Sequence, residues 1–361
     1  MISASTPART VLVVDDSAFM RRLIAEMIAD HPAFRVVGFA RDGVDAMAQL
    51  ERLDPDIVTL DLEMPKLDGL RVLRRIMVES PRAVVVLSAG GAQYGDATLR
   101  ALELGAVDFV RKPSGPVSLD LPIIRDRLIE ALEAASRATL ASPPSAVVRV
   151  PAVAPTASWP QCAAVHVVVV ASSTGGPRAL AEVIPLLPAT LGAAVVVAQH
   201  LPGEFTAALA DRLSRSSAMR VREAEDGMLL CAGTTYIARG GVNTVIIGSV
   251  GAASLHQHVS GRRSGATPSA DMLFESAADV FGPACTGVVL TGMGRDGSVG
   301  LRRIRAKHGH AIVQDESSSA IYGMPRAALA EAGADQVVSL SAMATAITET
   351  IPEGRLEWLT A

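Results

Sequence analysis

Short apolar runs alternate with segments of helical periodicity along the first part of the chain. Apolar runs of strand length begin near residues 10, 35, 56, 83 and 108, and each is followed by a segment whose apolar residues recur every three or four positions. Helices connect parallel strands in this way, and strands buried on both faces are almost continuously apolar. The pattern predicts five strands and five helices in a doubly wound parallel sheet over residues 1–130.

The composition changes between residues 138 and 160. This segment holds five prolines among 23 residues, with one charged side chain, and proline is excluded from helix interiors and central strands. Pro-rich segments act as extended spacers between domains. We therefore expect an interdomain linker over residues 131–163, made of the end of the last helix and the Pro-rich segment.

A second α/β pattern fills residues 164–361. Its candidate buried strands are "VVVVAS", "AAVVVAQH", "TTYIARG", "NTVIIGS", "CTGVVLTGMG", "GHAIVQD" and "ADQVVSL". Helical segments separate most of them, which again predicts a largely parallel sheet with helices on both faces. The exception is "TTYIARGGVNTVIIGS", which lacks an intervening helix and is therefore expected to form a β-hairpin.

Composition narrows the class of protein further. Apolar residues make up 49% of the chain and aromatic residues only 3%, which fits cores built from aliphatic side chains. A net charge of −4 gives no electrostatic reason to expect nucleic-acid binding. The three cysteines have no CxxC spacing, which argues against a zinc site. No membrane-length apolar run or signal-peptide core is present, so we expect a cytoplasmic protein with no direct membrane insertion.

Polar residues follow the apolar runs of the first domain. Asp15 and Asp16 follow the first run, Asp61 the third, Ser88 the fourth and Lys112 the fifth. The carboxyl ends of parallel strands meet at one edge, where ligands bind. Three carboxylates there repel one another unless a cation lies between them, and hard oxygen ligands suit Mg²⁺. The lysine and the hydroxyl group can hold an anion beside the metal, so this edge is a candidate aspartyl-phosphate site.

The stretch "VVVVASSTGGP" allows three interpretations: a phosphate-binding loop, a helix cap, or a serine presented as a nucleophile. A P-loop requires a lysine after its glycines, and none follows Gly176. A serine that caps the following helix is an ordinary structural alternative. Two other strand ends favour the nucleophile, since His200 and Asp296 each follow an apolar run directly. A serine, a histidine and an aspartate at one sheet edge can form a hydrolytic triad.

Residues 10–130 resemble a response-regulator receiver domain. The resemblance rests on "VVDDSAFMRR", "DLEMPKLDGL", "VVVLSAG" and "DFVRKPS". It implies that Asp61 is the phosphoacceptor and that Asp15, Asp16 and Asp61 hold Mg²⁺. Ser88 and Lys112 would contact the phosphoryl group, and Phe109 would repack on activation. A histidine kinase is then the implied phosphoryl donor.

The second half resembles the protein-glutamate methylesterases of bacterial chemotaxis. It contains "SSTGGP", "QHLPGEFT", "TPSADMLFESAA", "LTGMGRDG" and "QDESSSAIYGMPRAA" in the family's order. The resemblance implies Ser173 as nucleophile, His200 as general base, Asp296 as the orienting acid, and the backbone N–H groups of Met293 and Thr174 in the oxyanion hole.

Together the two resemblances imply a flavodoxin-like receiver joined by the Pro-rich linker to a Rossmann-like methylesterase domain. They further imply hydrolysis of glutamate methyl esters on chemoreceptors under control of phosphorylation, release of methanol, deamidation of receptor glutamines, and no cofactor in the catalytic domain.

Three positions depart from the family's pattern. Ser172 beside Ser173 leaves the nucleophile ambiguous on chemistry alone. Thr267 occupies a position where the family usually has arginine, and residues 236–246 replace a usual Pro-Gly-rich turn followed by histidine. These departures put the rim of the substrate groove in doubt.

Two rival functions remain open on the sequence. The second domain could bind a partner without catalysis, or it could hydrolyse small diffusible esters. A helix-turn-helix output is disfavoured because the second half lacks a basic recognition helix.

Overall fold

The structure is a computed structural model that describes residues 7–65, 67–89, 91, 95–113, 121–139, 163–259 and 266–352. It divides into two compact units at about residue 146. Most of the predicted linker, residues 140–162, lies outside the described residues, so the predicted boundaries at residues 130 and 163 stay predictions. No helix within the described ranges combines the length and apolarity needed to cross a membrane.

The first unit is an α/β layer structure with a five-stranded parallel sheet in the order β2-β1-β3-β4-β5. Its strands are β1 (Arg9–Val14), β2 (Phe34–Ala40), β3 (Ile57–Asp61), β4 (Ala83–Ser88) and β5 (Asp108–Arg111). Its helices are α1 (Ala18–Ala29), α2 (Gly43–Leu53), α3 (Gly69–Glu79), α4 (Gly95–Glu103) and α5 (Leu121–Arg137). The strand order is that of flavodoxin-like sheets, and the predicted doubly wound fold is confirmed.

The burial of the central strands explains why the sequence of this unit contains continuous apolar runs. Every residue of β3 and β4 is buried, because helices cover both faces of a parallel sheet. The helices start at side-chain caps: Ser17, Asp42 and Asp68 each accept a backbone N–H of the first turn of α1, α2 and α3. The polar residues that end the strands are thereby held at one edge.

The second unit is built around a seven-stranded parallel sheet. Its strands are β6 (His166–Ser172), β7 (Ala193–Gln199), β8 (Arg220–Glu223), β9 (Thr234–Ile237), β12 (Cys285–Val289), β13 (His310–Gln314) and β14 (Gln336–Val338). They lie in the order β14-β13-β12-β6-β7-β9-β8. The chain runs outward from β6 in one direction and from β12 in the other, so the two central strands form a topological switch point, where ligands bind in such sheets.

The helices of this unit cover both faces of the sheet. They are α6 (Gly176–Val183), α7 (Gly203–Ser216), α8 (Ala270–Phe281), α9 (Ser298–Ala306), α10 (Met324–Ala332) and α11 (Met343–Glu349), with short 3-10 turns at Ile184–Leu186, Gly282–Ala284 and Leu340–Ala342. The core cluster that includes α8 is mostly aliphatic, with Tyr236, Phe274 and Phe281 as its large aromatic side chains.

The predicted hairpin between β9 and the next strand is wrong. β9 pairs in parallel with β7 and β8, whereas β10 (Asn243–Ile247) forms an antiparallel hairpin with β11 (Ser254–His258). The turn of that hairpin contains Gly248 and Gly251, both with positive φ, which glycine tolerates without steric cost.

Candidate active site

A turn at the end of β6 carries Ser173 at the centre of the second sheet. The N–H of Ser173 donates to the carbonyl of Thr291, 3.1 Å away on the neighbouring strand end. The chain then turns through Gly175, whose φ of +78° is left-handed, and enters α6 with Pro177 in its first turn. A side chain at Gly175 would collide with Ala320. The two glycines therefore serve a tight strand-to-helix turn that lifts Ser173 to the sheet edge.

The two adjacent serines differ in their surroundings. Ser172 is completely buried, and its hydroxyl donates to Gln199 Oε1 at 2.7 Å. Ser173 is partly exposed, and among the residues that the structure describes its hydroxyl makes no hydrogen bond. The Ser172 hydroxyl is buried and hydrogen-bonded to the neighbouring strand, so Ser173 is the serine whose hydroxyl is available to act as a nucleophile.

His200 follows β7, the strand beside β6. Ser172 is paired with Gln199 in the parallel register, so Ser173 and His200 occupy the next pair of positions on neighbouring strands. No hydrogen bond joins their side chains in the described structure. Such contacts are often long in enzymes without substrate and shorten in the reacting complex.

His200 Nε2 lies 2.9 Å from Asp296 Oδ2. Burial acts to raise the pKa of Asp296, but the hydrogen bonds from His200 and from the backbone N–H groups of Ala270 and Asp271 outweigh it and lower the pKa to about 2. An ionised carboxylate only accepts hydrogen bonds. Nε2 is therefore the donor in the neutral imidazole, and Nδ1 keeps the lone pair that can accept a proton.

Asp296 is fixed by the beginning of α8. Its Oδ2 accepts the N–H of Ala270 at 2.7 Å and its Oδ1 accepts that of Asp271 at 3.0 Å. The N-cap Ser269 donates its hydroxyl to Oδ1 at 3.3 Å. A negative charge is favourable at the positive end of a helix dipole, so the helix both orients and stabilises the carboxylate.

The loop that contains Met293 passes directly beside Ser173. A Cβ placed at Gly292 would meet the Cβ of Ser173 at 2.8 Å, so glycine allows this approach. The carbonyl of Gly292 accepts the N–H groups of Gly323 and Met324, whereas the N–H of Met293 has no acceptor among the described residues. The structure places the carbonyl of Thr174, the other residue assigned to the oxyanion hole, 3.0 Å from Thr291 Oγ1.

Two of the three departures from the family's pattern, Thr267 and the segment 236–246, are in contact with each other. The N–H of Gly241 donates to the carbonyl of Thr267 at 3.3 Å. Gly240 packs so closely on the loop after His200 that a Cβ there would lie 2.1 Å from the carbonyl oxygen of Leu201. The segment 236–246 therefore packs, through Gly240, on the loop that follows His200.

Several polar residues of this edge were not singled out from the sequence. Asn243 Oδ1 accepts the N–H of Ser269 at 2.9 Å, and Asp271 Oδ1 accepts the N–H of Gly300 at 2.8 Å. Thr291 and Gln199 hold the turn at Ser173 from its two sides. A polar residue that ends an apolar run, as Gln199 does in "AAVVVAQH", is the sequence signal that could have identified such a position.

Asp271 gives the site a testable pH dependence. Burial raises its pKa from 3.8 to about 6. Because the folded value lies above the unfolded one, ionisation lowers the free energy of unfolding as the pH rises through this range. Asp271→Asn keeps an oxygen acceptor for Gly300 and removes the charge. We expect the free energy of unfolding of the wild type, relative to this variant, to fall by about 2 kcal/mol between roughly pH 4 and pH 7. Denaturant unfolding of both proteins measures it, and parallel pH profiles would contradict it.

The acidic edge of the first unit is compact. Oxygens of Asp15, Asp16 and Asp61 lie within 4.8 Å of one another. Lys112 Nζ lies 2.7 Å from Asp15 Oδ2 and 2.7 Å from Asp61 Oδ2. Burial raises the pKa of Asp61 to about 6, against the opposing effect of Lys112. Three clustered carboxylate oxygens of this kind fit a Mg²⁺ ion.

The two other residues named for this edge are buried. Ser88 Oγ lies 2.6 Å from Thr98 Oγ1 and donates to the carbonyl of Ala89 at 3.2 Å. Phe109 is packed inside the unit, and its N–H donates to Asp108 Oδ1. In this structure the hydroxyl of Ser88 therefore contacts Thr98 on α4.

Comparison with known proteins follows the same division into two units. A family model described as response regulator receiver domain matches residues 11–123, and one described as CheB methylesterase matches residues 168–347. The two parts define a response regulator joined to a methylesterase-type unit.

Relatives match almost the whole chain. A protein-glutamate methylesterase/protein-glutamine glutaminase of Geobacillus kaustophilus is 42% identical over 344 residues, covering 95% of this chain and 99% of the relative. One of Pyrococcus horikoshii is 38% identical and covers 94% and 93%. The crystal structure of the Thermotoga maritima CheB methylesterase catalytic domain has a TM-score of 0.50 at 34% identity, covering 52% of this chain and 98% of that one. This chain belongs to the family of CheB methylesterases that carry a receiver domain.

Proposed function

We propose that this protein hydrolyses methyl esters of glutamate side chains on chemoreceptors and deamidates selected receptor glutamines. The observation that carries the proposal is the hydrogen-bonded pair of His200 and the ionised Asp296, one strand away from the partly exposed Ser173. The relatives named as methylesterase and glutaminase supply the substrate class.

The proposed acylation step uses three groups of this chain. Ser173 Oγ attacks the ester carbonyl carbon while His200 Nδ1 takes the hydroxyl proton. The carbonyl oxygen becomes an oxyanion beside the N–H of Met293, with Thr174 as the second donor. Collapse breaks the bond to the methoxy oxygen, which receives the proton from His200 and leaves as methanol. A glutamyl ester of Ser173 remains.

Deacylation repeats the same proton transfers with water. His200 removes a proton from the water molecule that attacks the acyl carbon, and returns it to Ser173 Oγ as the glutamic acid side chain leaves. The released carboxylic acid then loses its proton to solvent. An amide gives the same acyl-enzyme with loss of ammonia, which is why one site serves both glutamate esters and glutamines. None of these steps requires a cofactor.

Asp296 has an electrostatic and an orienting role in this mechanism. When His200 becomes an imidazolium, the carboxylate 2.9 Å from its Nε2 stabilises the new charge. The hydrogen bonds from the start of α8 keep the carboxylate ionised and in place. In this protein Nε2 of the histidine contacts the acid and Nδ1 would take the serine proton. In the usual serine-protease triad the two nitrogens have the opposite roles, and Nδ1 faces the acid.

The receiver domain would regulate this reaction through phosphorylation of Asp61 by a histidine kinase. Asp15, Asp16 and Asp61 would hold Mg²⁺, whose chemistry is to neutralise the charge of the phosphoryl oxygens. Lys112 is already within ion-pair distance of two of the carboxylates. Ser88 would exchange Thr98 for the phosphoryl group, and Phe109 would repack, which is a local change of hydrogen bonding and packing with a wider effect.

Asp61→Asn tests this regulation. The variant cannot form the acyl phosphate, so a small-molecule phosphoryl donor should leave its methanol release at the basal rate, whereas wild-type release should rise. Labelling of Ser173 by a fluorophosphonate serves as the control, since the variant should be labelled at the basal wild-type rate. Stimulation of Asp61→Asn by the donor would contradict the assignment of Asp61.

Two measurements separate the proposal from its rivals. A fluorophosphonate should label the wild type at Ser173, identified by peptide mass spectrometry, and the absence of labelling would favour a non-catalytic partner-binding domain. Methylated receptor and small methyl esters should then be compared as substrates. A higher kcat/KM for the small esters would favour an esterase of diffusible substrates.

A further inference from the structure

Gln199 is a fully buried polar residue at the end of an apolar strand. It is the last residue of β7, it follows six buried apolar residues, and only 1% of its surface is exposed. A buried amide costs free energy unless its hydrogen-bonding groups are satisfied. Its partners therefore indicate what the residue does.

The Gln199 amide joins the strand ends that carry Ser173 and His200. Its Oε1 accepts the hydroxyl of Ser172 at 2.7 Å. Its Nε2 donates to the carbonyl of Ser173 at 3.0 Å and to the carbonyl of His200 at 3.2 Å. One planar group thus binds the backbone of both residues.

The surroundings pack closely on the amide. A Cβ at Gly176 would lie 2.0 Å from Gln199 Oε1, so the start of α6 closes over it. On the opposite side, Thr291 fixes the N–H of Ser173 and the carbonyl of Thr174. The backbone of Ser173 is therefore held from both neighbouring strands. His200 is tied to the same turn by its N–H, which donates to the carbonyl of Ser172 at 3.0 Å, and by the Gln199 amide.

We propose that Gln199 is a positioning residue that sets the separation of the nucleophile from the general base. The proposal rests on the proposed roles of Ser173 and His200. The strand pairing and the hydrogen bond from the His200 N–H to the Ser172 carbonyl fix the two residues as neighbours. The Gln199 amide adds the contact that joins the carbonyls of Ser173 and His200 themselves. A misplacement of about 1 Å between reacting groups can cost roughly 10²-fold in rate.

The test is the rate of fluorophosphonate labelling of Ser173 in the full-length protein. Gln199→Glu has nearly the same shape, but when ionised it cannot donate to either carbonyl. When protonated it regains one donor. We expect a labelling rate about 10²-fold below wild type near pH 8, with a partial recovery on acidification that the wild type lacks.

Gln314→Glu is the matched control. Gln314 is also buried and ends β13, but it binds the N–H of Thr291 and the carbonyl of Ser318. Because it contacts neither Ser173 nor His200, we expect less than about a tenfold loss in labelling. Equal losses in the two variants would mean that both report general damage to the sheet edge, and the proposal would be wrong.

A second variant covers the case in which Gln199→Glu does not fold, as judged by circular dichroism. Gln199→Met keeps the length without charge or hydrogen bonds, and should show a similar loss that does not recover on acidification. Labelling at the wild-type rate in either folded variant would overturn the proposal.

Labelling also separates this proposal from the proposed function. If the wild type is labelled at Ser173 but releases no methanol from receptors, the substrate assignment fails while the role of Gln199 is still measured. If the wild type is not labelled at all, Ser173 is not an activated nucleophile and both proposals fail.

Discussion

Ser173→Ala is expected to lower methanol release from methylated receptors by about 10⁶-fold, the scale seen when a triad serine is removed. The variant loses the only atom that forms the acyl bond in the proposed mechanism. Ser173 is partly exposed and its hydroxyl makes no hydrogen bond among the described residues, so the fold should survive. The measurement is methanol release, with circular dichroism as the check on folding.

Ser172→Ala is the matched control for this prediction. It removes one hydroxyl of the same kind from the adjacent residue and leaves Gln199 Oε1 without its donor. Most activity should remain, because Gln199 keeps its two bonds to the backbone. A full loss in Ser172→Ala together with activity in Ser173→Ala would show that the nucleophile is the other serine.

Asp296→Asn is expected to lower kcat by about 10⁴-fold, as for the corresponding change in a serine protease. An amide oxygen in the place of Oδ1 can still accept the N–H of Asp271, so the loop should keep its position, although the N–H of Ala270 loses its acceptor. The neutral amide cannot stabilise the imidazolium of His200, and it can donate to Nε2, which favours the wrong tautomer. Steady-state hydrolysis of receptor methyl esters measures the effect.

Asp271→Asn provides the comparison for that variant. It makes the same change in the neighbouring carboxyl group, which binds Gly300 and does not contact His200. A kcat for Asp296→Asn within about threefold of wild type would remove Asp296 from the proposed mechanism. Equal losses in the two variants would show that the start of α8, rather than the charge on Asp296, is what matters.

The fold was predictable because its strands are long apolar runs with helices between them. Val167–Val170 and Ala193–Ala198 are buried on both faces, and a run of that kind has few alternatives. The hairpin was mispredicted because the absence of a helix between two strand-like runs is a local signal for a hairpin. Packing of Gly240 on the loop after His200, and pairing of β9 with β7, override that signal.

The candidate site was predictable where residues follow strand ends directly. His200 and Asp296 were expected at one edge, and the structure places them 2.9 Å apart. The sequence could not choose between Ser172 and Ser173 on chemistry, because the choice depends on which side chain points into the sheet toward Gln199. Supporting contacts such as that of Asn243 with Ser269 join residues 26 positions apart, and no local pattern predicts them.

The most direct test of the account is methanol release from chemoreceptor membranes with radiolabelled methyl esters. The wild type should release methanol in amounts equal to the methyl esters lost from the receptors, and Ser173→Ala should release none above the background of the membranes. The contradicting result would be obtained with folded wild-type protein that is labelled at Ser173 and supplied with a phosphoryl donor. If the receptor methyl esters stay intact under these conditions, the proposed function is wrong.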